Sequence, residues 1–157
     1  MIRRLLYALF VISLLVSCKP SGPPLEPTDL MSYGVPIKIN APADVEIEVS
    51  DLSFIKDVTV KNEEGYSVQI FETDVKTLNP KTVLEELKAE ISSGQFFSTL
   101  IQEDEFGFIF EKKIDESYTN YDFRHVKIRG DKQYVFQTGL SGQYTLDQVK
   151  TMLQSVL

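Results

Sequence analysis

The sequence predicts an α+β domain: an antiparallel β-sheet with two amphipathic helices packed on it. Three observations lead there. Short β-rich runs alternate apolar and polar residues from Ile37 onward. Two stretches carry helical periodicity with capping residues in place, around Asn79 and Thr145. Between them lie two pairs of strand-like segments, each pair joined by a polar turn, which suits hairpins rather than parallel crossovers.

The early strands are Ile37-Lys38-Ile39, Val45 to Val49, Val58-Thr59-Val60, and Tyr66 to Phe71 after the turn at Glu64-Gly65. The first helix is predicted with Asn79 as its cap, Pro80 at its first position and Leu78 stapled onto Val83. Its narrow apolar stripe is Leu84, Leu87 and Ile91, and Gly94 closes it. Phe97 to Gln102 pairs with Phe106 to Lys112 across Glu103-Asp104-Glu105. Tyr121 to Arg129 pairs with Lys132 to Leu140 across Gly130-Asp131, a dipeptide suited to a two-residue loop. Thr145 and Gln148 form a capping box for the last helix, with Tyr144 placed to staple onto Val149.

This element order, with Tyr134-Val135-Phe136-Gln137-Thr138-Gly139-Leu140 leading into Thr145 to Val156, resembles the PsbP-like fold. The likeness covers roughly residues 37–157 and is one of hydrophobic pattern, without a diagnostic motif. It implies an α+β domain from a family whose members bind diverse partners.

Upstream of the domain the chain reads differently. Arg3 and Arg4 precede a twelve-residue apolar run, Leu5 to Val16, too short to cross a bilayer, which takes roughly 20 residues. The run ends in Leu15-Val16-Ser17-Cys18, which resembles the lipobox of bacterial lipoproteins. The resemblance implies that residues 1–17 are a signal peptide and that Cys18 becomes the lipid-bearing N-terminus. Cys18 is the chain's single cysteine, so it has no disulfide partner within the chain. The two or three acyl chains implied by the resemblance would anchor it firmly, at about 0.8 kcal/mol per buried methylene. Lys19 follows the cysteine where an aspartate would resemble an inner-membrane retention signal. Its absence favours the outer membrane of the cell envelope if the source is Gram-negative. Residues 18–36 hold five of the seven prolines and read as an extended tether, so a single domain is expected over residues 37–157.

Cleavage before Cys18 removes two of the 16 basic residues and leaves 14 against 23 acidic ones, a net charge of −9. So acidic a surface repels phosphate backbones and anionic headgroups, which argues against nucleic acid as a partner. Membrane contact is therefore expected through the lipid on Cys18 alone. No cofactor is expected: phosphate-loop, dinucleotide-binding and paired-cysteine patterns are missing, as is His-Glu-x-x-His. His125 is the only histidine, and no Gly-x-Ser-x-Gly elbow accompanies it. Glu103-Asp104-Glu105 reads as a solvated turn, because adjacent residues there cannot converge on one calcium ion. Asp115, Glu116, Asn120 and Asp122 read the same way. Arg129-Gly130-Asp131 is explained by turn geometry without an adhesion role.

With the last turn at Gly130-Asp131, residue numbers of facing positions sum to 261, so His125 faces Phe136. Tyr121, Phe123, His125, Tyr134 and Phe136 then share one side of the hairpin, with Leu140 extending it. Two readings stand: a core face under a helix with His125 as a satisfied polar member, or an aromatic binding face. The function expected is that of a non-catalytic envelope lipoprotein presenting a small domain to a protein partner. An immunity or inhibitor protein facing a basic toxin is one variant. The alternative is a periplasmic small-molecule carrier using the aromatic hairpin face. An unrecognised hydrolase is the third.

Overall fold

The structure, a computed structural model, describes residues 23–157. The signal segment and Cys18 lie outside the described residues. Nine strands, two α-helices and one 3-10 turn follow one another along the described chain. They are β1 (Leu25–Asp29), the 3-10 turn Met31–Tyr33, β2 (Lys38–Pro42), β3 (Glu46–Asp51), β4 (Lys56–Lys61) and β5 (Ser67–Asp74). Next come α1 (Pro80–Ser92), β6 (Phe97–Glu103), β7 (Gly107–Lys113), β8 (Thr119–Arg129), β9 (Lys132–Thr138) and α2 (Leu146–Val156). Seven strands form one antiparallel sheet in the order β3-β4-β5-β9-β8-β7-β6, and β1-β2 make a separate two-stranded sheet. The fold is α+β. The chain builds one half of the large sheet with β3 to β5 and crosses to the far edge through α1. It then returns by hairpins until β9 closes against β5, with Ile70 opposite Phe136.

Alternation along the strands divides the core into two layers. On one face Val58, Val60, Val68, Ile70, Ile109, Phe123, Tyr134 and Phe136 pack against Val149, Met152, Leu153 and Val156 of α2. On the other, Phe108, Phe110 and Val126 pack under Val83 and Leu84 of α1. The helices thus cover opposite faces of the sheet. Both helix starts are capped as their residues predict. The Asn79 side chain accepts from the Lys81 amide at 3.0 Å, and Thr145 and Gln148 close a reciprocal capping box. Leu78 is exposed instead of stapled, and Ser93, not Gly94, caps the end of α1.

The tether expectation is corrected for its second half. Leu25 to Asp29 is a strand paired with β2, and Leu30 and Val35 are fully buried in the α2-side layer. Leu30 closes the intervening loop by donating to Ile37 O at 3.0 Å and accepting from the Val35 amide at 3.2 Å. The folded unit therefore reaches back to Leu25. Leu25, Leu30 and Val35 recur every five residues, a spacing that matches neither strand nor helix and so left no periodic signal. Pro27 is tolerated because β1 is an edge strand of a two-stranded sheet.

Candidate functional site

The aromatic hairpin face is core. Phe123, Tyr134 and Phe136 are fully buried, His125 nearly so, and Tyr121 is half-buried with its hydroxyl donating to Glu111 at 3.3 Å. The hairpin register is the one expected, His125 opposite Phe136. The reading of this face as an open binding surface is thereby overturned, because α2 and the β1-β2 layer cover it. Leu140 does not extend it: the side chain is 78% exposed, and the ladder ends at Thr138.

His125 differs from its aromatic neighbours. Its Nδ1 donates to Phe106 O at 2.7 Å, which leaves Nε2 as a bare acceptor, and that atom is buried without a hydrogen-bond partner. Its ring tilts against Phe136 with centroids 5.3 Å apart. Burial pushes its pKa down to about 4, against the opposing pull of the Phe106 carbonyl. The imidazole is neutral at ordinary pH.

His125 also lies at the edge of a crevice of about 600 Å³, within the size range of about 300–1,000 Å³ common for small-molecule sites. The sheet's own geometry creates it. β7 begins at Gly107, opposite His125, so Lys127, Ile128 and Arg129 of β8 run past their neighbour. In a hairpin with a two-residue turn, Arg129 and Lys132 bond to each other, so the main-chain groups of Ile128 point away from β9 into this gap. Ile37, Phe106, Val126, Ile128 and Leu157 supply apolar walls, and Pro80, the first residue of α1, closes one side.

Three cations line the same crevice, unexpected in a chain of net charge −7. Lys38 is paired with Asp29 at 3.2 Å, and Arg129 donates to the Pro36 carbonyl. Lys127 is different. Its Nζ lies 5.7 Å above the Phe136 ring and donates to Leu157 O at 3.5 Å. Burial lowers its pKa. The sequence placed Lys127 beside Tyr134 on the hairpin, but nothing in it could show that β7 stops short.

The other polar groupings are spoken for. Asp122, read as solvated, is buried, a second correction. It accepts from Thr138 N and Oγ1, and pairs with Lys112 at 3.0 Å and Arg124 at 2.9 Å. Burial alone would raise its carboxyl, but the two cations hold it below the usual range. Asn120 ties the chain after β9 to β8, donating to Gly142 O and accepting from Tyr144 N. Asp104 and Asp115 each cap their own turns. A smaller cleft of about 290 Å³ beside the start of α2 is lined by Tyr66 and Gln148, which are engaged with Ser155 and Thr145. Among the described residues no three or more His, Cys, Asp or Glu side chains group as a metal would need, and no helix is long and apolar enough to cross a membrane.

One exposed apolar feature stands apart. Leu52 and Phe54 flank Ser53 at the β3-β4 turn and are 56% and 80% exposed. Ser53 has a positive φ of 72°, uncommon for a residue with a side chain. No protein-family model, curated protein or solved structure matches the chain.

Proposed function

We propose that this chain is a lipid-anchored envelope protein whose α+β domain binds and does not catalyse. The crevice at the overhang of β8 carries the reading, because it gathers three cations between apolar walls. No nucleophile with an adjacent base accompanies them among its lining residues, which supports binding over reaction. The anchor rests on Leu15-Val16-Ser17-Cys18 and its resemblance to a lipobox. The likeness to the PsbP-like fold, whose members bind diverse partners, fits the same reading. Mass spectrometry of protein from its native membrane should find an acylated Cys18 with residues 1–17 missing, and Cys18→Ala should leave an uncleaved precursor. An unmodified soluble chain cleaved at another position would sink the anchor.

A protein partner is the second reading, supported by Leu52 and Phe54 at the β3-β4 turn. A large exposed aromatic side chain at a turn is the kind of anchor that dominates protein interfaces. The acidic chain suits a basic partner, as an immunity or inhibitor protein would meet, since opposite charge speeds encounter. Phe54→Ser should leave the melting temperature within a degree or two while weakening capture of such a partner at least tenfold. Equal capture by both forms removes the turn from consideration.

A further inference from the structure

We propose that β3 accepts an added strand: an extended segment of the partner, alternating basic and apolar residues, pairs along its free edge beside Leu52 and Phe54. The proposal rests on the protein-partner reading above and names the form and charge of that partner. The main chain comes first. Leu52 donates to Ile55 O at 2.9 Å, so the even-numbered residues of β3 bond to β4, with Ser50 opposite Asp57 and Glu48 opposite Thr59. Ile47, Val49 and Asp51 therefore aim their amides and carbonyls away from β4, and β3 is the last strand on its side of the sheet. Among the described residues, no main-chain group from a turn or loop bonds to these three. Their amides and carbonyls are thus offered at regular spacing along an exposed strand, which is what strand addition needs.

The opposite edge of the sheet is blunted. β6 carries register shifts against β7 between Phe97 and Thr99 and between Leu100 and Gln102, whereas β3 pairs with β4 throughout without a bulge. Nor does β3 hold a proline, as β1 does at Pro27. Bulges and prolines guard edges against stray pairing, and β3 is left with charge alone. That charge selects the occupant. Glu46 and Glu48 project from one face of β3, Ile47 and Val49 from the other. Lys61, opposite Glu46, bonds to Glu48 at 2.7 Å, so one cation serves two carboxylates. A second copy of β3 would bring more carboxylates to the join, in a chain of net charge −7. A strand with basic residues beside Glu46 and Glu48 and apolar ones beside Ile47 and Val49 matches both faces. Leu52 and Phe54, both exposed, extend the contact past the end of β3.

The test adds blocked eight-residue peptides to the full-length, isotope-labelled protein in uncharged detergent micelles. One peptide alternates lysine and valine; the other places all its lysines before its valines. With the alternating peptide, the amides of Ile47, Val49 and Asp51 should exchange with solvent at least about tenfold more slowly, read by NMR, and the block-ordered peptide should protect them far less. Val49→Pro removes one outward donor and spares the β4 ladder, so it should weaken binding about tenfold with little change in melting temperature. Glu46→Lys should weaken the lysine peptide and admit an alternating glutamate and valine peptide. Equal protection by both lysine peptides, or undiminished binding by either variant, would overturn strand addition. Signals that shift at Leu52 and Phe54 while the three amides stay unprotected overturn it too, and leave the turn standing as the contact. The turn itself is judged separately, by the capture experiment with Phe54→Ser.

Discussion

His125 couples the fold to pH. In the folded chain its pKa is depressed to about 4 by burial, whereas an unfolded histidine titrates near about 6.5. Between those values the unfolded chain binds a proton that the folded chain does not. Stability is therefore fully present above about pH 6.5, falls as the pH drops, and the loss levels off near pH 4. Urea denaturation should show about 2 kcal/mol less stability at pH 5 than at pH 7.5 from this group alone. In His125→Gln the slope over that window should flatten. An unchanged slope would assign the titration to other groups. Burial lowers the pKa of Lys127, on the same side of β8, for the same reason.

At the scale of elements, deletion is more informative than substitution. β1 and the loop after it contribute Leu30 and Val35, both fully buried, and give β2 its only strand partner among the described residues. Losing a buried aliphatic side chain costs about 2–5 kcal/mol. A chain starting at Ile37 should therefore be several kcal/mol less stable than one starting at Pro23, read from urea midpoints, or should fail to fold cooperatively. Equal midpoints would mean that β1 is an ornament. Elements with strong local signals were legible from the residues: both capped helices, and the last hairpin to its exact register, because Gly130 at φ 63° sets a two-residue turn. β1 was illegible because its prolines speak of extended chain and its buried residues fall five apart. The crevice was illegible for another reason. It arises where β7 begins four residues short of β8's end, and relative strand length is a property of the assembled sheet.

Across the whole molecule, the two helices on opposite faces account for both helical stripes and for the alternation of β8, which feeds Phe123 to one layer and Val126 to the other. That arrangement is why the aromatic hairpin residues could be predicted to share a face while their solvent exposure could not. Only the placement of α2 decides it. The acidic balance is likewise a sum over the chain, and it hid a local exception, since Lys38, Lys127 and Arg129 come together only when β2 meets the end of β8.

The strand at Leu25–Asp29 also sets a leash. On the proposed anchor at Cys18, six residues lie between it and Leu25, a reach of at most about 25 Å, against about 65 Å had the fold begun at Ile37. A domain of this size has a radius of gyration of about 14 Å, so the leash is shorter than the body it holds. Leu25 lies beside the start of α2, where both line the smaller cleft, whereas the cationic crevice lies at Leu157, past the other end of that helix. Leu25 and the crevice thus lie at the two ends of α2. On the proposed anchor, so short a mooring keeps the whole domain within about its own diameter of the membrane.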